Sequence, residues 1–239
     1  MIAFITSSPF RVDVDRPTFS NRNGFVDQIR ACLPENPRCL YICSSPDRSD
    51  LNCLFGADIF MAFANAGVHF SSYHVLDGHN ADQAKQLVAH SDLIVLAGGH
   101  VPTQNVFFQK IGLRKLLQGY SGVVMGISAG SMNCADVVYS QPEEPGESSP
   151  EFARFIPGLG LTNLQILPHY QKVKNDYLDG KRLYEDMTYA DSVGNTFYAL
   201  PDFSYIVDDG KGAVLFGEGY RLRNGILEQL TIHDGMFKL

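Results

Sequence analysis

Ser128 stands between two glycines in the run Gly126-Ile127-Ser128-Ala129-Gly130, which satisfies the G-x-S-x-G pattern of a nucleophile elbow. In such a turn the serine occupies a strained backbone conformation, and neighbours without bulky side chains let strand and helix pack closely around it. Its hydroxyl then projects at the N-terminus of the following helix, where free N–H groups and the helix dipole stabilise an oxyanion. Ala129 would supply one such N–H. A serine before a small-residue helix can also be a plain N-cap, so the pattern takes its meaning from where it falls. Here "GVVMGI" (122–127) reads as a strong short strand opening directly into "SAGSMN".

An attacking serine needs a base, and the base needs an orienting acid. Of seven histidines, two end apolar strands: His100 closes "LAGGH" and His169 closes "LQILPH". The acid is not singled out by pattern. Glu143 and Glu144 lie in a polar loop, Glu185 and Asp186 in a charged helical segment, and Asp202 after the strand "TFYALP". Gly99, in the glycine pair that ends "LAGG", offers a second backbone N–H toward Ser128.

The elements that must position these groups follow from periodicity. "IAFITSS" (2–8), "CLYICSS" (39–45), "DLIVLAGG" (92–99) and "GVVMGI" read as buried strands, and "VHFSSYHVL" (68–76) as a weaker one. Between them, segments such as "DLNCLFGADIFMAFANAG" and "QNVFFQKIGLRKLLQGY" carry apolar residues at helical spacing. This alternation predicts an α/β fold, with a mostly parallel central sheet and helices on both faces. Ligands of such sheets collect at the carboxyl ends of the strands, where Ser128, Gly99 and His100 fall. Beyond the polar loop "QPEEPGESSPE" (141–151), "LTNLQILPHY" resumes a strand and a helix is expected over roughly 173–190. Closely spaced strands follow, with Asp-Gly and Asn-Gly turns at 209–210 and 224–225. They are expected to be antiparallel and to close one edge of the sheet. The whole chain, 1–239, reads as one α/β domain.

The 239 residues are 45% hydrophobic and 19% charged, enough for one large core. A net charge of −7 speaks against nucleic acid or an anionic membrane as partner, since both favour basic patches. Five cysteines without a CxxC pair suggest neither a zinc site nor a disulfide framework. They read as buried free thiols in a reducing compartment. With no signal-peptide pattern and no window near the ~20 apolar residues of a membrane span, a cytoplasmic protein is expected. "GISAGS" lacks the lysine of a phosphate loop, and "LAGGHVPTQN" lacks the dinucleotide fingerprint. The 16 Phe and 11 Tyr suit a homodimer interface and a core equally well.

Four blocks in order resemble the serine peptidases of the dipeptidase E and cyanophycinase family: "IVLAGGH", "GISAGSMN", "ILPHY" and "ALPDFSYI". That family has a fold similar to the class I glutamine amidotransferases. The resemblance implies Ser128 as nucleophile, His169 as base, Asp202 as orienting acid, and Gly99 and Ala129 as oxyanion donors. The order Ser…His…acid differs from the Ser…Asp…His of α/β-hydrolases. The resemblance further implies hydrolysis of short peptides through an acyl-enzyme, with no metal and no organic cofactor. Asp202 is shorter than the glutamate often found in its block, and Glu143 or Glu144 is an alternative third member. The arginine that reads an acidic substrate in the aspartyl dipeptidase aligns near Gly180, beside Lys181 and Arg182. These two, and His100 in place of the common asparagine, are candidate substrate contacts. An esterase or amidase using the same site, or a binding protein that retained the fold, are the competing readings.

Overall fold

The computed structural model describes residues 1–239. The first half alternates as expected: β1 (Ile2–Thr6), α1 (Phe25–Ala31), β2 (Arg38–Ile42), α2 (Ser49–Asn65), β3 (Ser72–Leu76), α3 (Ala84–Ala89) and β4 (Leu93–Leu96). α4 (Val101–Lys110), α5 (Leu113–Leu116), β5 (Val123–Ile127) and α6 (Ala129–Met132) follow. β1, β5, β4, β2 and β3 pair in parallel in that order. β2, β4 and β5 are buried almost end to end, as strands covered on both faces must be. β1 shows the two-residue period of a strand between two cores. Phe4 joins the larger apolar cluster, and Ala3 and Ile5 join a second one with Ala129, Met132 and Ile166.

The second half departs from expectation twice. After β6 (Val137–Tyr139), β7 (Phe155–Pro157), β8 (Gln165–Leu167) and α7 (Tyr170–Val173), the segment expected to be helical over 173–190 first makes a hairpin of β9 (Tyr177–Leu178) and β10 (Lys181–Arg182). Asp179 and Gly180 form its turn, both with positive φ, 50° and 79°, the geometry for which Asp-Gly is favoured. Only then does a π-helical stretch (Leu183–Thr188) run into α8 (Tyr189–Asp191).

The closing strands also do not all join one edge. β11 (Thr196–Ala199), β14 (Gly219–Arg223) and β15 (Ile226–Thr231) build a separate four-stranded sheet with β8, whereas β12 (Tyr205–Asp208), β13 (Ala213–Phe216) and β16 (Met236–Lys238) extend the main sheet beside β1. The pairing of β8 with β11 is parallel, so the segments after Leu167 and Ala199 leave the second sheet in the same direction. Those segments carry His169 and Asp202. The cysteines are free; Cys39, Cys43 and Cys134 are buried, but Cys32 is half-buried and Cys53 is exposed on α2, against the expectation of buried thiols. No helix is long and apolar enough to cross a membrane.

Candidate active site

The elbow at Ser128 is built by close backbone approach. A methyl group on Gly126 would lie 2.6 Å from Ser131 Cα, and one on Gly130 2.3 Å from the Leu96 carbonyl oxygen; both positions therefore demand glycine. α6 is tied to β1 by Ser131, whose hydroxyl donates to the Thr6 carbonyl and accepts from the Thr6 N–H, each at 2.8 Å. Ser128 itself has φ 51° and ψ −114°, a sparsely populated conformation held by a fixed surround. Its N–H donates to the carbonyls of Thr6 and Ser7 at 3.1 and 3.0 Å.

Three side chains from distant parts of the chain meet here. The Ser128 hydroxyl donates to His169 Nε2 at 2.8 Å, and His169 Nδ1–H donates to Asp202 Oδ1 at 2.7 Å. An ionised carboxylate only accepts, so Asp202 sets the imidazole tautomer that leaves Nε2 free to take a proton. His169 also has positive φ, 58°, and its backbone N–H donates to Ser7 Oγ at 2.7 Å. Ser7 in turn donates to Asp202 Oδ1 at 3.1 Å. The second oxygen of Asp202 receives Lys172 Nζ at 2.7 Å. Burial opposes ionisation of Asp202, yet the hydrogen bonds and charges of His169 and Lys172 outweigh it and hold the carboxyl well below the usual carboxylate range.

Gly99 and Ala129 flank the serine, and neither N–H is spent on another protein group. Gly99 has φ 151°, and a Cβ there would lie 2.4 Å from Ser44 Oγ. Conformation and space thus both require glycine, and the backbone is left open toward the site. A cavity of about 150 Å³ opens beside Ser128 and His169.

The other predicted residues are placed elsewhere. His100 does not line the cavity; its Nε2–H donates to Glu147 Oε1 at 2.8 Å, and its Nδ1 accepts from Thr103. Glu147 Oε2 accepts the N–H groups of Glu143 and Glu144 at 2.8 and 3.0 Å, so His100 and Glu147 clamp the loop 141–151 onto the end of β4. Ligand atoms of His100, Glu144 and Glu147 do lie within 4.8 Å of one another. Glu147 is nevertheless consumed by these internal bonds, and the group reads as a loop clamp. Lys181 reaches the Ser148 carbonyl at 3.3 Å, and Arg182 pairs with Asp186 at 2.6 Å. Neither lines the cavity, although their strand partners Leu178 and Tyr177 do. Glu143 lines the cavity without a hydrogen bond to His169, and Glu144 is held with the clamp.

Sequence reasoning missed Ser7 and Lys172, two single polar residues with no local pattern. It also missed the hairpin that walls the cavity, although "LDGK" carries a recognisable turn signal.

The family model for peptidase family S51 matches residues 20–215, and the chain belongs to that family, the dipeptidase E family that the four sequence blocks resemble. It is a serine-type peptidase. Among solved structures it is similar to a Listeria monocytogenes EGD-e protein provisionally described as a peptidase E. The two share 15% identity over 96% of this chain and 98% of the other, with a TM-score of 0.57, a likeness of fold. No curated protein sequence matches the chain.

Proposed function

We propose that Ser128, His169 and Asp202 are the catalytic triad of this peptidase and that it cleaves short peptides through an acyl-enzyme. The observation that carries the reading is the continuous hydrogen-bonded line from Ser128 Oγ through His169 to Asp202, at 2.8 and 2.7 Å. His169 Nε2 takes the hydroxyl proton as Ser128 Oγ attacks the peptide carbonyl. The oxygen of the tetrahedral intermediate accepts from the Gly99 and Ala129 N–H groups. The intermediate collapses as His169 returns the proton to the leaving amine, giving an ester on Ser128. Water, deprotonated by the same nitrogen, hydrolyses that ester and restores the serine. Asp202 keeps Nδ1 protonated and balances the imidazolium at both steps.

A tagged fluorophosphonate tests the reading. Labelling that maps to Ser128 and disappears in Ser128→Ala supports it, together with a loss of peptide hydrolysis of at least about 10⁴-fold. Undiminished hydrolysis by Ser128→Ala would overturn it.

A further inference from the structure

The cavity beside Ser128 has an unusual charge inventory. Besides Ser128 and His169, its wall is apolar along Val173, Leu178 and Leu183, and apart from the Tyr177 phenol its only other ionisable side chains are two carboxylates, Glu143 and Asp176. No lysine or arginine lines it. Neither carboxylate makes a hydrogen bond or an ion pair within the protein: residue 143 bonds through its backbone N–H to Glu147 Oε2, and residue 176 through its backbone to Val173 and Leu183.

The nearby cations are all committed elsewhere. Lys172 holds Asp202, Lys174 lies over the Tyr170 ring, Lys181 reaches the Ser148 carbonyl, and Arg182 pairs with Asp186. His100 is held by Glu147. Glu143 and Asp176 give the cavity wall a negative character that a bound cation would complement. Partial desolvation raises the Glu143 carboxyl above its ordinary value, with Glu147 and Glu144 adding to it against the pull of His100. A bound cation would relieve that penalty.

From this arrangement we infer that the enzyme selects short peptides whose unblocked N-terminal residue is basic, lysine or arginine. The inference rests on the reading of Ser128 as nucleophile. Glu143, close enough to His169 to feel its charge, takes the α-ammonium, which sits one carbon from the scissile carbonyl. Asp176 takes the ammonium or guanidinium of the side chain. The hydrocarbon stem lies along Val173, Leu178 and Leu183, as long cationic side chains do on apolar walls. The same site rejects an acidic N-terminal residue, which would add a third negative charge.

The test compares hydrolysis of Lys-Ala, Arg-Ala, Leu-Ala and Asp-Ala, and of N-acetyl-Lys-Ala, by the full-length protein, its Asp176→Asn, Asp176→Arg and Glu143→Gln variants, and Ser128→Ala. The exposed carboxylates at 143 and 176 hold nothing in the fold, so their variants are expected to fold. The expected result is kcat/KM for Lys-Ala and Arg-Ala at least about tenfold above Leu-Ala and about 100-fold above Asp-Ala. In Asp176→Asn the ratio of Lys-Ala to Leu-Ala falls by about tenfold, and in Asp176→Arg the preference inverts toward Asp-Ala. Glu143→Gln lowers every free-amine substrate together and narrows the gap to the acetylated one. If Ser128 takes the fluorophosphonate and peptides are cut without a basic preference, or with a ratio that Asp176→Asn leaves unmoved, the inference is overturned while the triad stands. If Ser128 is not labelled and nothing is cut, the triad reading fails, and calorimetry of Lys-Ala and Asp-Ala on Ser128→Ala decides the inference separately. Tighter binding of Lys-Ala that weakens on adding Asp176→Asn sustains it; equal or absent binding overturns it.

Discussion

Lys172 Nζ lies 2.7 Å from Asp202 Oδ2 while His169 Nδ1 holds Oδ1 of the same carboxylate at 2.7 Å. One acid is thus shared between the imidazole and a permanent cation, with Ser7 as a third, neutral partner. The lysine, with His169, holds the Asp202 carboxyl down against the effect of burial. Replacing it, as in Lys172→Met, lets that carboxyl take its proton at higher pH, so activity is lost sooner on acidification. Lys172 is more than half exposed, its side chain 58% accessible, so solvent screens the pair and kcat is expected to fall at most about fivefold. A pH–rate profile of both proteins checks the direction.

The Asp202 contacts also make stability depend on pH. Because its carboxyl is held below the ordinary value in the folded protein, its contribution is present above the unfolded value near 4 and is lost as pH falls toward the folded one. The difference in Tm between the native protein and Asp202→Asn is therefore expected to be largest near neutrality and to shrink from about pH 5 to about pH 2. Thermal melts at a series of pH values measure it.

Ser7 is fully buried and touches two members of the proposed triad at once. Ser7→Ala removes the acceptor of the His169 N–H and a donor to Asp202. A loss of roughly tenfold in kcat is expected, since each such bond is worth about 1 kcal/mol, with KM little changed. A positional role is recognised by Ser7→Thr restoring part of kcat, whereas a purely structural one shows only in Tm.

The elbow glycines set a steric test. Gly130→Ala places a methyl group 2.3 Å from the Leu96 carbonyl, and overpacking of this kind costs about 1–3 kcal/mol. For a chain of this size that is a fall of roughly 2–12 °C in Tm. Gly212→Ala, with nothing within 4 Å of its added Cβ, is the control expected to leave Tm unchanged.

The clamp between His100 and Glu147 predicts a separation of kinetic constants. Glu147→Ala frees the Glu143 and Glu144 N–H groups and the His100 ring, loosening the loop that carries Glu143 to the cavity. KM is expected to rise more than kcat falls, and limited proteolysis to cut within 141–151 sooner than in the native protein.

How far the sequence reached depends on how local each feature is. Four of the five parallel strands and the elbow were legible because each is a contiguous run: buried strands read as unbroken apolar stretches, the half-exposed β3 more weakly, and Gly126-Ile127-Ser128-Ala129-Gly130 carries both its steric demand and the proposed nucleophile. His169 and Asp202 were legible as residues that end strands, but their selection over His100 and Glu143 came from the resemblance of whole blocks. The helix expected over 173–190 holds only from Leu183 onward; before it, charged and apolar residues fall at helical spacing, but the Asp179-Gly180 turn has the positive φ that breaks the helix. Lys181 and Arg182 fall on the second strand of that hairpin and do not line the cavity.

The amino-acid order alone marked the residue proposed to attack, because the proposed nucleophile and one proposed oxyanion donor are made by five neighbouring positions. Only the tertiary structure decided what stands around them. The meeting of residues 7, 128, 169, 172 and 202 depends on β1 pairing with β5 and β8 pairing with β11, contacts between strands far apart in the chain. The charge of the cavity was decided in the same way. It follows from which lysines and arginines find partners elsewhere, a competition among exposed side chains that has no signature in the order of the residues.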